Sequence, residues 1–551
     1  MLAESSYSSA PDETVTPNKT TWTRSGAEAY LPAALLVLVA FAFHVSVERI
    51  PVFPVDDAYI TLHNAQVLHW GHDPNFVGTP ALAGATSPFH LALVALLLFV
   101  FQPLWALDIA AWIGILAFAL GIARLARVLT VPPGPAFLLV IAGLLAARTP
   151  HQLMNGLETG WALAGITWAL AFASEDGSTS AYGLAALCGV LPFLRPELAA
   201  LSALLLPLPA WRHWRSTRTR NKPNPRQSQD NSPQLRLIDT GSPAISTCSV
   251  RGSLLLLGKC LIIAVIAATP WVLWQLISTG SIVPATIAAK RYYFAESNRP
   301  NEVKWLWVEG SFLALLLACG PLMLAALALP FTAIGRLTMA FTFILLAAYY
   351  CQFPGAVTHA QGRYLYVLVP FLIFGAASAY RLLRAQPAPR RWLTMFALAA
   401  ASQAALLAPF TWREHQAEQS KTRNELAAVA NWCNANLPPN SRLLIHDAGY
   451  ISYATNFRMV DLVGLKTPAN IELHRELTYP TDGTKRAAAI DAAALRANSD
   501  YVVVLDLWDS IFKITEGLRR YGWRLDEVRT EGVYRVYHMT RPEVRRQTPA
   551  Q

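Results

Sequence analysis

A succession of apolar runs, each of roughly 15 residues or more, fills the chain from Leu31 to about Leu407 and leaves only short polar or basic breaks. Segments of this length approach the thickness of a bilayer, and a water-soluble core has no room for so many of them. The expected fold class is therefore a polytopic α-helical membrane protein, and the composition agrees, with 54% hydrophobic and 15% charged residues in 551. The apolar segments lie near 31–47, 89–123, 134–147, 160–174, 181–194, 197–211, 253–277, 305–330, 337–352, 366–381 and 392–408, or about 11 transmembrane segments within a range of about 10–13. No small-x-small cleavage site follows 31–47, so this segment is expected to be an uncleaved first helix rather than a signal peptide.

Basic residues set the orientation. Arg212, Arg215, Arg218, Arg220, Lys222, Arg226 and Arg236 stand among Pro, Ser, Asn and Gln in 212–252, which reads as a flexible basic cytoplasmic loop. Arg381 to Arg391 forms a second cytoplasmic turn, so 392–408 runs outward and 409–551 is exported. The polar residues 1–28 then form a disordered cytoplasmic tail, 29–408 the transmembrane domain and 48–88 an outer loop. Stretch 89–123 could hold two short helices, yet it must make one net crossing to leave Arg124 and Arg127 inside, which a broken or re-entrant helix would allow. The net charge of +10 follows from this topology, and no nucleic-acid partner is expected. The cysteines at 188, 248, 260, 319, 351 and 433 form no CxxC pair and read as packing residues.

From 409 onward charges become frequent, and β-rich runs at 442–445 and 501–505 alternate with helical patterns at 423–436, 484–497 and 508–520. Such alternation predicts a small exported α/β domain with a mostly parallel sheet, and it contains neither GxGxxG nor a P-loop.

Adjacent carboxylates at a membrane face are costly unless they work, which singles out Asp56 and Asp57 ahead of an amphipathic run through Tyr59 and His63. One of them could take a proton from a hydroxyl, or the pair could share a divalent cation, Mg or Ca, with Glu158; first-turn acids also simply suit a helix dipole. Thr86-Ser87-Pro88 is a helix start that could also face the site, and Glu158 in Gly156-Leu157-Glu158-Thr159 is either a ligand or a helix acid. Arg195-Pro196-Glu197 interrupts an apolar stretch, either as a mutually neutralising pair or as a ligand site. Lys290 and Arg363 fall on the outer side, where cations should be scarce, and would bind a lipid phosphate or snorkel to headgroups. The topology brings Asp56, Asp57, Glu158, Arg195, Glu197, Lys290 and Arg363 to one outer face.

The ordered set Asp56-Asp57-Ala58-Tyr59-Ile60, Thr86-Ser87-Pro88, Gly156-Leu157-Glu158-Thr159, Arg195-Pro196-Glu197, Pro284-Ala285-Thr286 with Lys290, and Arg363-Tyr364 resembles the GT-C membrane glycosyltransferases. The likeness is greater to the bacterial branch containing mycobacterial terminal arabinofuranosyltransferases than to aminoarabinose transferases or protein O-mannosyltransferases. Asp447-Ala448-Gly449-Tyr450 and Val460-Asp461-Leu462-Val463-Gly464 look like the exported domain of that branch, so the likeness covers nearly the whole chain. His63-Asn64 and Ala285 depart from the usual pattern and bear on which sugar is used. The resemblance implies an inverting glycosyltransferase of the bacterial cytoplasmic membrane, with its site and C-terminal domain extracytoplasmic. It would move a sugar from a polyprenyl-phosphate donor to a glycan, lipid or protein acceptor. Asp56, Asp57 and Glu158 would be catalytic, Lys290, Arg195 and Arg363 would hold the donor phosphate, and Glu197, Thr86, Ser87, His63 and Tyr59 would serve the acceptor or support the site. Asp447 and Asp461 read as turn residues. The competing class is a membrane transporter or a flippase of lipid-linked glycans, which should show paired repeats.

Overall fold

In the computed structural model, residues 21–220, 244–383 and 387–541 are described. The chain is a polytopic helical bundle that ends in a small α/β domain. Six helices among the described residues are long and apolar enough to cross a membrane: Tyr30–Val47, Pro103–Val128, Val250–Thr279, Ala333–Gln352, Pro354–Leu382 and Arg391–Asn436. A seventh is obtained if Asn301–Ala318 and Gly320–Phe331, bent by 109° at the break, count as one. The number that qualify singly is below eleven because several expected crossings are short helices, such as Pro133–Leu145 and Ser178–Leu194, packed among longer ones. Stretch 89–123 is two helices, Pro88–Leu97 and Pro103–Val128, and only the second is long enough to span.

Two boundaries differ from expectation. Helix begins at Thr21, inside the expected tail, because the apolar run that follows recruits the residues before it; residues 1–20 lie outside the described residues. The basic loop is helical at both ends, with helices Leu208–Arg220 and Ala244–Thr279, and its central residues 221–243 also lie outside the described residues.

Backbone contact between small residues holds the bundle's centre. A Cβ at Gly114 would meet Trp161 N at 3.1 Å, and one at Gly160 would meet Gly114 C at 3.2 Å, so Pro103–Val128 and Thr159–Ser174 cross at glycines. Indoles stitch the same pair together: Trp161 Nε1 donates to Ala110 O at 3.0 Å and Trp168 Nε1 to Ala117 O at 2.9 Å.

Arg391–Asn436 runs 46 residues, straight through the expected domain boundary at 409. At 1.5 Å per residue this is roughly 70 Å, about twice a bilayer's hydrocarbon core, so its far half stands clear of the membrane and carries the C-terminal domain. That domain has a five-stranded sheet in the order β2-β1-β3-β5-β4, from β1 Arg442–Ile445, β2 Arg458–Asp461, β3 Tyr501–Leu505, β4 Arg524–Glu531 and β5 Tyr534–Thr540. Only β1–β2 and β1–β3 pair in parallel; the hairpin β4–β5 pairs antiparallel with itself and with β3. The expected mostly parallel sheet is therefore mixed, because 524–540 turns at Gly532 (φ +58°) too tightly for any crossover helix.

The domain is bolted to the loop after the first helix. Lys466, fully buried, donates to Asp73 Oδ2 at 2.8 Å and to Asn64 Oδ1 at 2.5 Å. Asn75 donates to Thr455 O and Phe457 O, and its own carbonyl accepts from Met459 N at 2.9 Å, at the sheet edge. Removing one partner of a buried ion pair strands the other charge, so Lys466→Met should destabilise the protein by about 3–5 kcal/mol, whereas Lys466→Met with Asp73→Leu should recover most of the loss. Thermal unfolding of the two variants checks this, and equal losses in both would refute it.

Candidate active site

The segment Pro51–Val55 is held in position from both sides. Gln419 Nε2 and Thr422 Oγ1, on the long helix, donate to Val52 O (2.7 Å) and Phe53 O (3.1 Å), while Phe53 N donates to Tyr59 Oη at 3.0 Å. Helix Asp56–Trp70 starts where this clamp ends, so both acids sit in its first turn. Their partners lie elsewhere in the molecule.

Asp57 Oδ2 accepts from Arg363 Nη2 at 2.7 Å and from Lys290 Nζ at 3.2 Å. The two cations also share Tyr364: its Oη lies 2.8 Å from Arg363 Nη2 and 3.3 Å from Lys290 Nζ, and its ring lies under both Arg363 (4.8 Å) and Arg195 (5.1 Å). Arg195, 1% exposed, has its Nε 3.3 Å from Glu158 Oε1 and 3.1 Å from Glu197 Oε1. Arg195 Nε and Nη1 and Arg363 Nε are buried without a hydrogen-bond partner, which leaves donor capacity unused at this point. Thr86 lines a small hollow with Asp57, Glu158, Lys290, Arg363 and Tyr364.

The backbone leading to Arg363 is strained. Ala360 (φ +44°), Gln361 (φ +58°) and Gly362 (φ +80°) are left-handed in succession. Two of the three carry a Cβ, at a cost of about 1–2 kcal/mol each. Gln152 Nε2 donating to Ala360 O at 2.9 Å and Gln361 Nε2 donating to Glu418 hold the turn. Backbone strain of this kind clusters at binding and catalytic sites.

Asp56 faces the other way. Its carboxylate accepts from Gly449 N (2.8 Å) and Tyr450 N (2.7 Å) of the C-terminal domain. Gly449 is required there, since a Cβ would collide with Asp56 O. Asp56, Asp57, Lys290 and Arg363 all line a cavity of about 510 Å³ between bundle and domain, closed by Glu418, His446, Asp447, Trp508 and Tyr534.

Asp56, Asp57, Glu158, Lys290, Arg195, Arg363, Glu197 and Thr86 are thus brought together, while three residues sit apart. Ser87 caps helix Pro88–Leu97, accepting from His90 N at 3.2 Å and donating to Phe193 O at 2.9 Å. His63 is buried against Asn75 Oδ1 at 3.0 Å, in the Asp73–Lys466 network. Tyr59 is buried against Tyr450 and Tyr453. All three support the frame. Of the carboxylates considered for a divalent cation, Asp56 is on amides, Asp57 on two cations and Glu158 beside Arg195, and no group of three metal-ligating side chains occurs among the described residues. Asp461 is a turn residue as read, accepting from Val463 N and Lys466 N, but Asp447 is a cavity residue whose Oδ2 accepts from Tyr534 Oη at 2.7 Å. Tyr364 stood in the Arg363-Tyr364 motif without a role of its own, and Glu418, His446 and Trp508 were not among the residues expected at the site.

A family model described as a domain of unknown function (DUF8728) matches residues 411–544. No curated protein matches the chain. Two crystal structures of ArnT from Cupriavidus metallidurans, one bound to undecaprenyl phosphate and one in the apo state, are similar at 13% identity, over 94% of this chain and 98% of theirs, with a TM-score of 0.49. At that TM-score the likeness lends nothing to the functional reading, which rests on the chain's own residues.

The two acids titrate in opposite directions. Burial, and then the charge of Asp447, push Asp56 well above the usual carboxylate range, against the pull of the two amides. Burial also acts to raise Asp57, but Lys290 and Arg363 outweigh it and hold its carboxyl below that range. A depressed folded-state pKa stabilises the protein above the unfolded value, about 3.9, and the contribution fades as pH falls through the folded value. Wild type should therefore exceed Asp57→Asn in melting temperature by a constant margin at neutral pH, and the margin should shrink only below about pH 4. A margin that shrinks between pH 8 and 6 would contradict the assignment.

Proposed function

We propose that the protein is a glycosyltransferase of the GT-C type that takes a sugar from a polyprenyl-phosphate donor and passes it, by one inverting displacement, to an envelope glycan, lipid or protein. The observation that carries this reading is the meeting of the acidic doublet with Lys290, Arg363 and Arg195 in one cavity where the helix bundle meets the C-terminal domain. The motif order described above favours the same class.

The site belongs on the extracytoplasmic face of a bacterial cytoplasmic membrane. Arg381 and Asp176 lie within electrostatic reach of Arg212, so the two basic turns share one end of the bundle, and the positive-inside bias puts that end in the cytoplasm. A cavity on the opposite side has no supply of nucleotide sugars, which leaves lipid-linked donors.

Asp56 serves as the base. Its raised proton affinity suits it to accept a hydroxyl proton, the amides of Gly449 and Tyr450 fix its orientation, and each oxygen keeps a second lone pair for the acceptor. As the acceptor oxygen bonds to the anomeric carbon, the bond from that carbon to the donor phosphate oxygen breaks. The electron pair leaves with the lipid phosphate, and the acceptor's proton goes to Asp56. Lys290, Arg363 and Arg195 stabilise the departing charge, with Asp57 keeping the first two in place until the phosphate arrives. Glu158 and Glu197 orient Arg195.

Release of polyprenyl phosphate by the full-length protein in nanodiscs tests the proposal. Asp56→Asn should lower the rate by about 10²-fold or more, and Arg363→Met or Lys290→Met by about 10²–10³-fold. Full activity in Asp56→Asn would remove it as the base; movement of lipid-linked glycan across a vesicle without phosphate release would favour a flippase.

A further inference from the structure

The part of the cavity wall built by the C-terminal domain has a chemistry of its own. His446 and Asp447 follow β1, Trp508 lies in the helix after β3 (Asp506–Phe512), and Tyr534 opens β5. The rings of His446 and Trp508 stack at 4.9 Å and 26°, and Phe512 lies 5.6 Å from Trp508 and 5.8 Å from His446, so the three rings form one cluster. Asp447 ties this wall together: Oδ1 accepts from Trp508 Nε1 at 3.1 Å and lies 3.2 Å from His446 Nδ1, while Oδ2 accepts from Tyr534 Oη.

His446 holds Nδ1 against the Asp447 carboxylate, and its Nε2 is buried and without a partner, in a residue only 7% exposed that lines the cavity. A buried polar atom of this kind needs a partner, and a hydroxyl, which both donates and accepts, supplies one. The charges narrow the class further. Asp447, with Asp56 within electrostatic reach, makes this wall unfavourable to a phosphate or carboxylate, whereas Lys290 and Arg363 lie on Asp57. An aromatic cluster, an unpaired polar nitrogen and an excess of carboxylates together suit an uncharged ring that is apolar on one face and rich in O–H at its edge.

We infer that Trp508 and His446 form a subsite for a neutral sugar ring, which makes the acceptor a neutral glycan. Only the word acceptor rests on the glycosyl-transfer reading; the subsite stands on its own geometry. The sugar's C–H face lies against Trp508, and one hydroxyl pairs with His446 Nε2.

The test is binding without any donor. The full-length protein in nanodiscs is mixed with a panel of methyl glycosides of neutral pentoses and hexoses, and saturation transfer to each is measured by NMR. At least one glycoside should bind wild type, and its affinity should fall by about ten-fold in Trp508→Ala, which removes the stacking face, and by about as much in His446→Phe, which keeps the ring but deletes the unpaired nitrogen. Melting temperatures within a few degrees of wild type qualify a variant; Trp508→Phe, expected to retain binding within about three-fold, replaces Trp508→Ala if that variant fails to fold. No binding by wild type, or wild-type affinity in His446→Phe, overturns the inference. Glycoside binding without phosphate release would sink glycosyl transfer and leave the subsite standing, whereas release without glycoside binding would do the reverse.

Discussion

The arrangement depends on how one acidic doublet divides its two charges. Asp57 turns toward Lys290 and Arg363 and neutralises cations from segments more than 200 residues away in sequence. Asp56, one residue earlier, turns to the amides of Gly449 and Tyr450 and fastens the C-terminal domain over the same spot. Successive residues at the start of a helix point about 100° apart, so a single first turn can serve two bodies at once. Lose the helix start and both the cation cluster and the roof of the cavity lose their reference point.

The cavity that results is divided by charge. Near Asp57 the cations exceed what its one carboxylate neutralises, and buried guanidinium nitrogens there lack hydrogen-bond partners. Toward Asp447 the wall is acidic and aromatic. The glycosyl transfer proposed above would set its anionic donor at the first end and its hydroxyl-bearing acceptor at the second. Burial sharpens the contrast, because charges that would be screened in water act at close range here.

Rigidity is concentrated where the chemistry is placed. Left-handed Ala360, Gln361 and Gly362 aim Arg363, and the strain is held by Gln152 from one helix and Glu418 from another. The buried Asp73–Lys466 pair and the Asn75 hydrogen bonds fix the domain against the loop that carries the doublet. The domain is thus a structural part of the cavity rather than a tethered appendage.

The apolar runs alone determined that the chain is a helical membrane protein with a polar C-terminal domain, because the free energy of burying apolar residues in lipid depends on local composition and length. The unusual placement of Asp56, Asp57, Arg195, Lys290 and Arg363 was equally legible, since charge at membrane depth stands out without any knowledge of partners. Only the tertiary structure decided that Asp56 and Asp57 have different partners, that Ser87, His63 and Tyr59 support the frame, that Asp447 belongs to the cavity, and that the sheet is mixed. Hydrogen bonds and ion pairs between residues hundreds of positions apart leave no periodicity or composition along the chain; they exist only once the fold has brought those groups within about 3 Å of one another.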